Sequence, residues 1–101
     1  MSRVRHVVMW QLNDPNTRLE TIAEMAARLE PLVGVIPGLL SLKVSPSLLP
    51  EEGNWDVLLI SEHESMEAFR TYQTHPDHLE VGTWVTQQVA TRAAVDYEVQ
   101  D

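Results

Sequence analysis

At 101 residues and without a cysteine, the chain is expected to form one domain, residues 1–101, with a thin core that no disulfide or thiolate-held metal can reinforce. Fifteen acidic against seven basic side chains give a formal charge of −8, the wrong sign for phosphate backbones and anionic membranes, so neither nucleic acid nor membrane is an expected partner. No apolar run approaches the roughly 20 residues of a membrane span, and the opening "MSRVRHVVMWQL" alternates in polarity without a small-residue cleavage site, so a soluble cytoplasmic protein is expected.

The segment "VRHVVMWQL" is β-branched and aromatic with a period of two. Val4, His6, Val8, Trp10 and Leu12 share one face, and Val7 and Met9 stand on the other, so the strand should be covered on both sides. Helix-start signals follow. Asp14 before Pro15 fits an N-cap with proline at the first helical position, and Thr17 with Glu20 has capping-box spacing. Leu19, Ile22, Met25, Ala26, Leu29, Leu32, Val33 and Ile36 then recur at helical intervals. Pro31 should kink or interrupt this helix, and Pro37-Gly38 should end it. "LLSLKVSPSLL" reads as a second strand with Pro46 near its end or at a sheet edge. After the turn "PEEGN", "WDVLLISEHE" is a third strand. Ser65 opens a short helix, "MEAFRTYQ", and "HPDHLEVGTWVTQQVA" continues as another, with Leu79, Val81, Gly82, Val85 and Val89 inward. "TRAAVDYEV" closes as a strand.

The order β-α-β-β-α-β predicts an α+β, ferredoxin-like fold: a four-stranded antiparallel sheet with its helices on one face. The other face would be left to water, yet Val7, Met9, Leu58, Ile60, Val95 and Tyr97 make it apolar. A second copy of the chain laid on that face would cover it. A homodimer through the open sheet face is therefore expected, and it offers a small cysteine-free domain more burial.

The opening "RHVVMWQL", "IPGLLSLKVS" at 36–45, "SMEAFRTYQTHPDHLEV" at 65–81 and the closing "VDYEV" together resemble the stress-responsive A/B barrel (Dabb) family over nearly the whole chain. The resemblance implies small ferredoxin-like subunits that pair sheet on sheet into a dimeric α/β barrel. Most members have no assigned activity. The family includes the plant olivetolic acid cyclase, which closes a linear polyketide by aldol condensation without metal or organic cofactor. By that likeness His6, Tyr72, His78 and Asp96 correspond to its site residues. Leu29 stands where the cyclase has a tyrosine, and Met25 and Ala26 stand near its phenylalanines. The family also implies a hard cation held on backbone carbonyls near Val33, Ile36 and Leu39 in some members.

Strand parity supplies an independent route to a site. His6 lies on the helix-facing side of the first strand, and Arg92, Ala94 and Asp96 share one face of the last. If both faces look the same way, His6, Asp96 and Arg92 converge with His78. A carboxylate beside an imidazole fixes its tautomer, and such a histidine can move a proton next to a carbonyl while Tyr72 holds the developing oxyanion. Val8, Trp10, Leu29, Leu59 and Arg92 are the candidate substrate-binding residues. The plain readings stand beside these: His6 as a satisfied core histidine, Asp96 as a partner of Arg92, Tyr72 as a core aromatic with a wet hydroxyl. His63 falls on the third strand and receives no role.

His75 and His78 are three apart, which can place both on one helix face. Pro76 at the first helical position instead makes His75 the N-cap and turns it out of register. No metal site and no cofactor is expected. Three functions remain open: a small-molecule-binding homodimer with cofactor-independent acid–base chemistry of cyclase or lyase type, a non-catalytic barrel that binds a ligand or partner, and a cofactor-free monooxygenase or haem-handling relative.

Overall fold

The computed structural model describes residues 2–100; Met1 and Asp101, the ends of the expected domain, lie outside the described residues. The chain runs β1 (Arg3–Leu12), α1 (Arg18–Leu29), β2 (Leu39–Pro46), β3 (Val57–His63), α2 (Met66–Thr74), α3 (Pro76–Gln88) and β4 (Val89–Val99). The four strands form one antiparallel sheet in the order β2-β3-β1-β4, the ferredoxin-like arrangement. β1 is central because it is apolar on both faces and pairs along both edges, which leaves β2, carrying Pro46, at an edge where a missing N–H is tolerated.

The core lies between the sheet and the helix layer. β1 contributes Val4, Val8, Trp10 and Leu12, β3 contributes Val57 and Leu59, and α1 contributes Ile22, Met25 and Leu29 at helical spacing. β2 adds Leu39, Leu42 and Val44, α2 adds Phe69 and Tyr72, and α3 adds Val85. The side chains buried on β1 and β3 are those of alternate residues, as a half-covered pleat requires.

Several element limits differ from the sequence reading. Asp14 does cap the chain, accepting from the Asn16 N–H at 2.9 Å, but it starts a 3₁₀ turn at Pro15–Thr17 instead of α1 itself. Thr17 makes no capping bond, so the Thr17/Glu20 box is not formed. Pro31 ends α1: residues 30–32 tighten into a 3₁₀ turn and the stripe does not continue as helix to Ile36. Leu19 and Val33 are exposed, whereas Leu32 and Ile36 reach the core from the turn. β2 stops at Pro46, three residues early, and α3 stops at Gln88, so Val89 belongs to β4. Leu79, expected inward, is exposed, because His75 sets the phase of α3 so that its cavity side carries His78, Gly82 and Val85. The Ile36 carbonyl, one of the three grouped by the family resemblance, accepts from the Leu39 N–H at 3.3 Å.

The face away from the helices carries Val7 opposite Ile60 and Val95, and Met9 opposite Leu58 and Ala93. Met9, Ile60, Val95 and Tyr97 are all substantially exposed there. Arg5 borders this apolar band, donating to Glu62 at 2.9 Å and to the Tyr97 hydroxyl at 2.9 Å.

Gly38 turns the chain into β2 with φ +82, and a Cβ there would sit 2.6 Å from the Ala68 side chain on α2. Gly34 also has positive φ but faces open space. Gly38→Ala should therefore cost roughly 2–4 kcal/mol, from left-handed strain plus overpacking. Gly34→Ala should cost only the strain, about 1–2 kcal/mol. Urea unfolding of the two variants checks the difference.

Candidate active site

The site begins with one rung of the sheet. Asp96 on β4 and Ser61 on β3 both lie directly opposite His6 on β1, so three polar side chains cross the helix-facing side in a row. Directly opposed residues have Cβ atoms about 5 Å apart. His6 is buried and its Nδ1 is bonded to Asp96 Oδ1, while Asp96 keeps one edge in solvent. The bond ties the proton to Nδ1 and leaves the other ring nitrogen as the free position of the neutral tautomer.

One residue pair along β3, His63 is fully buried, and its Nε2 lies 2.9 Å from Ser61 Oγ. Its ring packs against Phe69 and Tyr72 with centroids 4.8 Å away in each case. Burial, reinforced by the proximity of His6, lowers its pKa to about 4, so it is neutral near pH 7. The Nδ1 atom of His63 is buried without a hydrogen-bond partner.

α2 and α3 bring in the remaining groups. Ser65 caps α2 by accepting from the Ala68 N–H at 3.1 Å, which sets the phase that turns Phe69 and Tyr72 inward. His75 then ends α2 and caps α3: its Nδ1 accepts from the Asp77 N–H at 3.1 Å, and Pro76 occupies the first helical position. His78 follows on the first turn of α3, its ring 4.1 Å from that of Tyr72. Burial lowers the His78 pKa, opposed by a hydrogen bond from the ring to the Gln73 carbonyl. The Nδ1 atom of His78 is buried without a hydrogen-bond partner among the described residues. Burial pushes the Tyr72 hydroxyl upward in pKa, which keeps it a neutral donor.

A cavity of about 400 Å³ lies between the helix layer and the β1–β4 half of the sheet. His6, Tyr72, His78, Val8, Trp10, Leu29, Leu59 and Arg92 all contribute to its wall. Asp96, the remaining candidate, is not part of the wall and reaches it only through His6. Sequence reasoning gave no site role to Phe69, Val85 or His63. The first two fall at helical spacing from Tyr72 and His78, and His63 shares strand parity with Leu59 and Ser61, so the signal for it was present. Among the described residues no group of three or more histidines and carboxylates is arranged to hold a metal ion.

The model of the stress responsive A/B barrel domain matches residues 4–99. The chain belongs to this family. No curated protein matches this Dabb chain. Among solved structures it is similar to a dimeric ferredoxin-like protein of unknown function from Bacteroides fragilis, 27% identical with a TM-score of 0.85 over 98% of each chain. It is also similar to a dimeric ferredoxin-like protein of unknown function from Thermobifida fusca, 26% identical with a TM-score of 0.79, covering 97% of this chain and 92% of that one. The hydroxynitrile lyase of Passiflora edulis shares the fold at 17% identity and a TM-score of 0.79, over 99% of this chain and 95% of that one. The dimeric description of the first two supports self-association of the Dabb chain. No helix among the described residues is long and apolar enough to cross a membrane.

The buried His63 has a consequence for stability. Its pKa is 6.5 when exposed and about 4 when folded, so between those values the unfolded chain binds the proton and the folded chain does not. Stability from this group is intact above pH 6.5, falls as pH drops from 6.5 to about 4, and is flat below. The full loss is about 3 kcal/mol. His63→Phe should remove most of this slope, as read by urea midpoints at pH 7 and pH 4.5.

Proposed function

We propose that this Dabb chain forms a homodimer through its open sheet face and that each subunit binds a small, mainly apolar molecule in the cavity beside His6. We further propose cofactor-independent acid–base chemistry of lyase or cyclase type there. The observation that carries the reading is the meeting of the His78 imidazole, the Tyr72 phenol and the Asp96-bound His6 around one largely apolar cavity. A base needs a free lone pair within reach of the proton it takes, and an oxyanion needs a donor that is not itself ionised. His78, kept neutral by burial, meets the first condition. Tyr72, kept protonated by burial, meets the second.

In this reading a ligand carbonyl lies against Tyr72, and the neutral His78 imidazole removes a proton from the adjacent carbon. Charge developing on the carbonyl oxygen is held by the Tyr72 O–H. The His6–Asp96 pair supplies a second imidazole of set tautomer to deliver or accept a proton on the opposite side. That a relative with this fold is a hydroxynitrile lyase is compatible with acid–base chemistry on such a scaffold; the assignment rests on the residues above. A second reading, a barrel that only binds its ligand, draws on the apolar wall of Val8, Trp10, Leu29, Leu59 and Val85.

Carbonyl compounds that raise the melting temperature provide the test, since a ligand bound to the native state stabilises by RT ln(1 + [L]/Kd). Incubated in D2O with the protein, such ligands should exchange the proton next to the carbonyl, as followed by NMR. His78→Ala should slow this exchange by roughly 10²–10⁴-fold while binding persists. Binding without exchange in the wild type would leave the non-catalytic barrel as the function.

The sheet-face dimer has its own test. Ile60 sits in the middle of the exposed apolar band, opposite Val7. Ile60→Asp should convert a dimer into a monomer by light scattering at micromolar concentration, because an unpaired carboxylate in an apolar interface is strongly unfavourable. A monomeric wild type would sink the dimer.

A further inference from the structure

Arg92 stands apart from the other cations of the chain. Among the described residues Arg3 and Arg5 pair with Glu62, Arg28 with Glu24 and Lys43 with Glu30. Arg18 donates to the Asp56 carbonyl and Arg70 to Gln73. Among the described residues Arg92 alone of the cations makes no hydrogen bond or ion pair, although the chain carries fifteen carboxylates. It lies opposite Trp10 on the helix-facing side of the sheet, at the cavity wall. That wall contains no aspartate or glutamate, and the nearest carboxylate on its own strand face, Asp96, is committed to His6. His63 and His78 are held neutral. The cavity therefore has one uncompensated positive charge, at the end away from the His6–Asp96 rung.

We infer that the ligand of this cavity is an apolar carboxylic acid whose carboxylate is gripped by Arg92. The inference rests on the small-molecule reading above and adds the ligand's class and direction. A guanidinium offers two parallel N–H donors that match a carboxylate, so it binds one with geometric selectivity that a simple point charge lacks. Arg92 and Asp96 are four residues apart on one strand, roughly 13 Å along β4. An acid anchored at Arg92 thus lays its apolar body along Trp10, Val8 and Leu59, and brings its far end to Tyr72 and His78. The reverse orientation would set the ligand carboxylate against Asp96.

A panel of apolar acids, each matched with its amide, separates the possibilities; 4-phenylbutanoate with 4-phenylbutanamide and octanoate with octanamide are suitable probes. Binding to the intact protein is followed by the fluorescence of Trp10 and by calorimetry. The acids should bind about tenfold or more tighter than the amides. That advantage should shrink between 0.05 and 0.5 M salt, vanish in Arg92→Gln and survive in part in Arg92→Lys. Arg92→Gln should keep the wild-type melting temperature, because no protein group relies on Arg92. Equal affinity for acids and amides, or an acid preference that survives Arg92→Gln, overturns the inference and leaves the apolar pocket in place. If neither series binds the wild type, the small-molecule reading itself falls.

Discussion

Burying His6 in the middle of an apolar strand face demands a partner, and Asp96, one strand away on the same rung, supplies it. A buried polar group left unpaired costs about 1–3 kcal/mol, enough to hold the pairing of β1 with β4 in a single register. A slip of one residue would turn His6 to the open face and bring Val7 and Met9 inside. The same bond orients the imidazole, and it occupies the nearest carboxylate on the helix-facing side of β4. The chemistry of the cavity follows from that occupancy: with Asp96 engaged, Arg92 stands uncompensated four residues further along β4.

The helix layer serves the same geometry from above. α2 and α3 form a broken helix with His75 as the hinge between them, ending one element and capping the next. A continuous helix through this segment would carry His78 to a different angle relative to Tyr72. The break brings the two rings to 4.1 Å and leaves the Nδ1 atom of His78 buried without a hydrogen-bond partner among the described residues. Beneath them His63 fills core volume between Phe69 and Tyr72 as a neutral ring. Three histidines thus sit around one pair of aromatics in three distinct states: one bonded to a carboxylate, one to a hydroxyl, one to a backbone carbonyl.

β4 is the element least explained by a single copy of the chain. Its residues from Ala90 to Glu98 are exposed on both sides of the sheet. On the helix side this leaves the cavity open along Ala90 and Arg92. On the other side it adds Val95 and Tyr97 to the apolar band of Val7, Met9, Leu58 and Ile60. Small domains bury a modest share of their surface, and a surface of this kind on a sheet is a demand for a covering partner.

The sequence by itself determined the order of elements, the sheet that follows from it, and the function of the THPDH segment as a helix break. These depend on local signals: alternation in strands, proline at N1, a capping serine, glycine where φ is positive. Parity also placed His6, Arg92 and Asp96 on one face, since a pleat has a period of two wherever it occurs. Boundaries were less legible. The stripe through Val33 and Ile36 satisfies a helical period, yet Pro31 and a left-handed Gly34 stop the helix, and Ile36 reaches the core from a turn. Leu79 reads as apolar and periodic, but only the angle at His75 decides which side of α3 meets the sheet. Tertiary structure alone decided that Asp96 bonds to His6 and leaves Arg92 unpaired, and that His63 is buried against Tyr72. The reason is that periodicity fixes a face, whereas the partner found on that face depends on which strand lies alongside and in what register.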